Sequence, residues 1–317
     1  MTVLAIVHPT DLVATDLREK LDQRQDLWQE LHLYALDKEE IGTLAESRGR
    51  PALIAELEED SFDKIDVAFL CGDMARLRPI VKAIPPRTTV VLLAPDAAPD
   101  EAHPVVIGID GQELPENRPL LSPHAAVIGL AHLLHPLARF RPQIAAATVF
   151  QPVSTLGKDA LDELFEQTRE ALSFQQPAFR LLPRQFAFNI LDGGDAAGSF
   201  LEKQLAQVLA APEISLSIEV LRAGIFHGFG ISLHLRLEQD PSAEELRAAL
   251  GEHPVIELAD EELLGTIDVA AREEVLVGRV ERSGPGAYRI WALIDNLTRG
   301  GATNAFGILE ALRAPVF

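Results

Sequence analysis

Positive charge, cysteine and early glycine are all scarce in this chain. Its 317 residues carry 28 Lys and Arg against 48 Asp and Glu, a net charge of −20. Such a surface repels nucleic acid and anionic membrane, and neither is expected as a partner. Cys71 is the sole cysteine. No internal disulfide can form, which fits a reducing, cytoplasmic setting. The start lacks a basic segment, a long apolar stretch and a small-residue cleavage site, so no export signal is expected. The longest apolar run, AAVIGLAHLLHPLA at 125–138, is too short to span a bilayer and holds two histidines and a proline. It reads as a buried helix. Repeats and low-complexity segments are absent.

What is present is alternation of strand and helix. VLAIV (3–7) runs into a helix that sets Leu12, Val13, Leu17 and Leu21 on one side. LHLYAL (31–36), IDVAFLC (65–71), TTVVLLA (88–94) and VVIGI (105–109) read as further strands, with a helix at 74–83. Continuous apolar runs mark a parallel sheet covered on both faces. A strand that turns at once into a helix is where dinucleotide-binding folds put a glycine-rich turn. Here the turn reads His8-Pro9-Thr10-Asp11, and the first glycine is Gly42. Side chains keep backbone N–H groups away from a pyrophosphate. Pro9 removes a donor. Asp11 sets a carboxylate at the positive end of the helix dipole, as its N-cap.

From residue 122 the pattern changes. A helix at 124–138 leads to IAAATVF (144–150) and a polar helix at 158–172, whose Asp159, Asp162, Glu163 and Glu166 read as a solvated face. Longer alternating strands follow at 214–223, 230–238, 275–282 and 287–295. In SLHLRLE, Leu233, Leu235 and Leu237 face one way while Ser232, His234, Arg236 and Glu238 face the other. That is a sheet with one polar or partner-covered face. Ser242 and Glu245 form a capping box in the helix at 240–250. NAFGILEALRA (304–314) reads as a closing apolar helix. The fold class expected is α/β. Residues 1–121 plus 300–317 form a degenerate Rossmann-type, doubly wound domain, and 122–299 an inserted α+β domain.

Three stretches carry a resemblance. FQPVSTLGKDALDELFEQT (150–168), RQFAFNIL (184–191) and VGRVERSGPGAYRIWALIDNLTRGGATNA (277–305) resemble segments of the aspartate-semialdehyde dehydrogenase family. With the N-terminal pattern, the likeness covers nearly the whole chain. It implies that family's fold, with an inserted domain that makes a homodimer. For its enzymes it implies NADP over the glycine turn, a cysteine nucleophile at a helix N-terminus, a histidine base, and arginines for carboxylate and phosphate.

Taken position by position, that set is broken. Ala125, in SPHAAV (122–127), stands where the nucleophile would be. Phe229 stands at the histidine position. His227, two residues earlier, would share its strand face about 6–7 Å away, too far for direct proton transfer. APDAAPDEA (94–102) aligns with the phosphate-arginine loop but has Ala98 there, among Asp96, Asp100 and Glu101. GSFLEK (198–203) puts Phe200 where the family has a lysine. Gln151, Arg222 and Asn304 remain as residual ligand-binding positions, with the Gly300–Gly301 turn. His8, Thr10, Asp11 and Ala14 make up the degenerate cofactor turn.

The chain therefore resembles the non-catalytic, Usg-type branch of the family, and three readings stay open. One is a pseudoenzyme without cofactor, a homodimer through 122–299 that can also associate with a catalytic relative. The second is an active NADP-dependent semialdehyde dehydrogenase-type oxidoreductase with a site rebuilt from His8, His124 or Cys71. The third is a dicarboxylate sensor using Arg222 and Gln151. Cys71 otherwise reads as a small buried hydrophobe. His132 and His135 share a helix face, as metal ligands do. With no third ligand at a telling spacing they read as core-edge or interface residues, and no metal is expected. Asp192 and Asp195 in DGGD read as a turn rather than a carboxylate dyad.

Overall fold

The computed structural model describes residues 2–110, 114–116, 118–260 and 263–313. Residues 314–317, which closed the first expected domain, and the Asp195 side chain, half of the DGGD pair, lie outside the described residues. The chain forms two compact units, residues 1–124 with 301–317 and residues 125–300.

The first unit opens with β1 (Val3–Val7), α1 (Leu12–Gln23) and β2 (Glu30–Tyr34). An antiparallel hairpin, β3 (Leu44–Ser47) and β4 (Arg50–Leu53), follows. Then come β5 (Val67–Cys71), α2 (Met74–Ala83), β6 (Thr89–Leu93), β7 (His103–Pro104) and β8 (Leu120–Leu121). The sheet order is β2-β1-β5-β6-β8-β7, with every pair parallel. Leu4, Ile6 and Phe69 join one apolar cluster; Ala5, Val7, Ala68 and Leu70 join another. Both faces are covered, which is why these strands are unbroken apolar runs. VVIGI is not a strand, contrary to expectation. Ile107 N–H donates to Asn304 Oδ1 and Val105 C=O accepts from Asn304 Nδ2. A short apolar run does not by itself distinguish a strand from a buried loop.

In the second unit α3 (Ala125–Leu134) gives way to a 3-10 turn at 135–140, because Pro136 lacks the N–H that would continue the α ladder. The chain continues through β9 (Pro142–Gln151), α4 (Lys158–Leu172), β10 (Ile190–Asp192), α5 (Asp195–Leu209), β11 (Ser215–Ala223), β12 (Phe229–Leu237), α6 (Ala243–Gly251), β13 (Ile256–Leu258), β14 (Val275–Gly284) and β15 (Ala287–Ile294). Its sheet runs β10-β11-β9-β12-β15-β14-β13. All ten residues of α3 are buried. A Cβ at Gly129 would stand 2.9 Å from Ile231 Cδ1, so glycine sets how closely the helix approaches the sheet. The Ser242–Glu245 capping box is present. A π-helical turn at 298–303 leads into α7 (Asn304–Arg313), which belongs to the first unit.

Of the helix face read as solvated, Asp159 and Asp162 are exposed, but one member is not. Glu163 on α4 is buried, and its carboxylate accepts from the backbone N–H groups of Arg180 (3.0 Å) and Leu181 (2.6 Å). One turn on, Gln167 Oε1 accepts from Phe186 N–H at 2.8 Å. Together they bind the 180–187 segment along the helix. No helix among the described residues is long and apolar enough to cross a membrane.

Candidate functional site

β1 lies between β2 and β5, so the chain's progress across the sheet reverses there. Open α/β sheets bind ligands at such a point, outside the carboxyl ends of the strands. His8 and Gly72 stand at those ends. His8 has φ +64°, the left-handed conformation that favours glycine. The backbone keeps a glycine-type turn, and a histidine occupies it. A Cβ at Gly72 would lie 3.8 Å from the His8 ring.

The turn is closed by a residue the sequence reading missed. Glu40, buried in a short helical turn after β2, reaches back to β1. His8 Nδ1 lies 2.9 Å from Glu40 Oε1, which also accepts from the Thr10 hydroxyl. Oε2 accepts from Leu36 N–H at 2.8 Å and Asp37 N–H at 3.2 Å. Burial works to raise the Glu40 pKa, but the bonds from Thr10, Leu36, Asp37 and His8 outweigh it and hold the carboxyl below its ordinary value.

Both helix ends here carry the chain's own carboxylates. Asp11 Oδ1 accepts from Val13 N–H at 2.9 Å and from Ala14 N–H at 3.4 Å. Burial raises the Asp11 pKa; His8 and the two N–H groups oppose the rise, and Glu40 adds to it. Ala14 is fully buried in the core. At α2, Asp73 caps Arg76 N–H, and Asp96 accepts from Met74 N–H at 3.0 Å. Asp96 comes from the 94–102 loop, whose Glu101 pairs with Arg78. A helix N-terminus attracts an anion through unmet N–H groups and the positive dipole end. These two ends hold anions already, so the residues present do not fit a pyrophosphate.

Nor does the turn need an ion. Donor atoms of His8, Asp37 and Glu40 lie within 4.8 Å of one another. Glu40 is engaged by four donors, as above, and Asp37 by Arg76 Nη1 at 2.7 and 2.8 Å. The rebuilt-site candidates are similarly constrained. Cys71 is fully buried; desolvation, then Asp11 and Glu40, push its thiol well above the ordinary range. Burial pushes His124 down to about 4.

In the second unit, Ala125 begins α3 and serves packing. A Cβ at Gly300 would fall 2.4 Å from the Ala125 Cβ. Phe229 is fully buried at the start of β12. His227 is not on that strand. It lies exposed in the turn before it, next to Gly228 at φ +82°, so the shared strand face does not exist. Arg222 on β11 and Gln151 on β9 are register partners. Gln151 Nε2 donates to Thr155 Oγ1 at 2.7 Å. The side chain of half-buried Arg222 makes no hydrogen bond or ion pair among the described residues.

Asn304, expected to bind a ligand, lies in the first unit and is engaged internally. It is fully buried, accepts from Ile107 N–H at 2.9 Å, and donates to Val105 C=O at 2.8 Å and Ser122 Oγ at 3.0 Å. Both amide N–H groups and one of the two oxygen lone pairs are thereby taken. Of the positions singled out, the structure brings together His8, Thr10 and Asp11 in one place, and Gln151 with Arg222 in another. Glu40 carried one readable signal, the Asp37–Glu40 capping box. Its reach to β1 is a long-range contact that no local pattern encodes.

A parallel sheet with a second, antiparallel-rich sheet unit defines the protein as α/β in class. Here the particular family is shown. The semialdehyde dehydrogenase dimerisation domain matches residues 134–299. A USG-1 protein homologue of Azotobacter vinelandii is 31% identical over 98% of this chain and 97% of its own length. An aspartate-semialdehyde dehydrogenase of Legionella pneumophila is 26% identical over 98% and 95%. The structure of a probable aspartate-semialdehyde dehydrogenase from Pseudomonas aeruginosa superposes with a TM-score of 0.89 at 25% identity, covering 98% of both chains. A more distant one, from Candida albicans, was solved with NADP (TM-score 0.76, 16% identity, 99% of both chains). The chain belongs to the semialdehyde dehydrogenase family.

Proposed function

We propose that this member is a non-catalytic, dimeric homologue of aspartate-semialdehyde dehydrogenase that binds no NADP. The observation that carries the reading is the Glu40 closure of the turn after β1, with Asp11 at the α1 end. Ala125 has no group to add to an aldehyde, and Phe229 none to move a proton. The outward row of the second sheet, with exposed His234, Arg236 and Arg289 on paired strands, is the surface that meets a second copy. Titration calorimetry with NADP and NADPH tests the first part; the expected result is no heat of binding, and micromolar affinity sinks it. Sedimentation equilibrium tests the second. A dimer is expected, and His234→Glu with Arg236→Glu should dissociate it; a monomeric parent protein overturns the assignment.

One observation favours a second reading. Arg222 is a half-buried guanidinium without a counter-charge among the described residues, beside Gln151. It is suited to hold a small carboxylate. In this reading the protein senses a dicarboxylate without transforming it. A thermal-shift screen with aspartate-like ligands decides it, and the reading falls if Arg222→Ala leaves any shift intact.

A further inference from the structure

His132 and His135 share a face in sequence, and the structure supplies a third partner. His253, beyond the end of α6, sets its ring centroid 5.1 Å from that of His132 and 5.9 Å from that of His135. Both contacts are edge-to-face, at 70° and 87°. His132 is 0% exposed, and neither of its ring nitrogens has a hydrogen-bond partner among the described residues. A neutral imidazole carries one donor and one acceptor, and burying them unmet is costly.

Three imidazoles suggest a metal, but the ring chemistry opposes one. Val255 N–H donates to His253 Nδ1 at 3.2 Å. That bond fixes the neutral tautomer with its proton on Nε2, leaving no lone pair there for a metal. The group of donors that does converge within 4.8 Å is His8, Asp37 and Glu40, in the other unit.

What the cluster gathers is charge of one sign. Burial first, then Arg299, His253 and His135, hold the His132 pKa well below its ordinary value. Arg299 itself answers to Glu273 and Glu274. On the 135–140 turn, Arg139 pairs with Glu252, the neighbour of His253, at 2.9 Å. No carboxylate is among the groups acting on His132. A proton added to His132 meets only like charge among the groups that act on it.

We propose that His132, His135 and His253 form a proton-operated latch in the second unit. Neutral, the rings pack the end of α3 against the end of α6 and the 135–140 turn; a proton on buried His132 has no acceptor and faces Arg299, and the contact opens. The sign follows from linkage. The packed state disfavours the proton, so the opened state binds more protons below about pH 6.5. Packing is complete above that value and is lost as the pH falls.

Hydrogen exchange on the full-length protein, corrected for intrinsic rates, tests this between about pH 7.5 and 5.5. Protection of α3 and α6 amides should fall about tenfold or more, while α1 and α2 hold theirs. His132→Leu should abolish the fall. If that variant does not fold, His253→Gln, which cannot take up a proton, should do the same. An undiminished fall in the folded variants overturns the latch, as does an equal fall in α1 and α2. A Zn2+-induced rise in melting temperature at about pH 7.5, lost in His132→Leu, would also overturn it and mark a metal site.

Discussion

Two sites, one in each unit, treat their polar groups in opposite ways. At the carboxyl edge of the parallel sheet, polar side chains are answered from within the chain: His8 and Thr10 by Glu40, Asp37 by Arg76, Asp11 and Asp96 by helix N–H groups. At the ends of β9 and β11, the Arg222 side chain has no partner among the described residues. An internal network stabilises the fold, whereas a half-buried guanidinium without a partner loses hydration and returns nothing to stability. The first of these sites is closed by the chain's own groups, and the second holds a guanidinium with no side-chain partner among the described residues.

The largest expected effect falls on Phe229. Phe229 is fully buried where the family resemblance expects a base. Phe229→Ala should cost about 3–5 kcal/mol in urea unfolding. A loss near zero would mean that the position is not core.

Glu40→Ala comes next. It strips partners from His8, Thr10, Leu36 N–H and Asp37 N–H at once, and should cost about 2–4 kcal/mol. The pH dependence has a definite sign. The folded Glu40 carboxyl is held below its ordinary value, so its contribution is present above about pH 4.3, the unfolded carboxylate's range, and is lost as pH falls through the lowered folded value. Parent and Glu40→Ala stabilities should therefore converge in acid. A constant gap from neutral pH down to about 3 would remove Glu40 from the network.

Much of this was legible in sequence, and the remainder was not for identifiable reasons. Unbroken apolar runs at 3–7 and 67–71 gave the buried strands, and alternation at 232–238 gave the one-sided sheet, because side-chain period follows burial. Asp11 as a cap was readable because its partners are two and three residues away. Glu40 was not, since its bonds to His8 and Thr10 span 32 and 30 residues. Glu163 failed similarly. A charged helix position reads as solvated until a distant loop brings its N–H groups. The left-handed φ at His8 was hidden because the residue type gives no sign of it. His227 was misplaced because β12 begins two residues later than a strand-face argument needs.

A smaller effect sharpens the boundary between the two regions. Asn304 is engaged wholly in internal bonds to the 105–107 segment and Ser122. Asn304→Ala should cost about 1–3 kcal/mol and leave any ligand response of the second unit unchanged. A lost ligand shift with unchanged stability would return Asn304 to the binding set.

The smallest stability change is the most informative. Arg222→Ala removes a side chain with no polar partner among the described residues, so unfolding free energy should move by no more than about 0.5 kcal/mol. If Arg222 is instead held by contacts that matter to the fold, the loss will be several times larger, and the contrast between a closed region and an open one disappears. If stability is unchanged and a dicarboxylate-induced thermal shift vanishes, the guanidinium is retained for a ligand. Glu40→Ala run in parallel should show the reverse, a large loss of stability and an intact shift. Only that double dissociation separates a region kept for folding from one kept for binding.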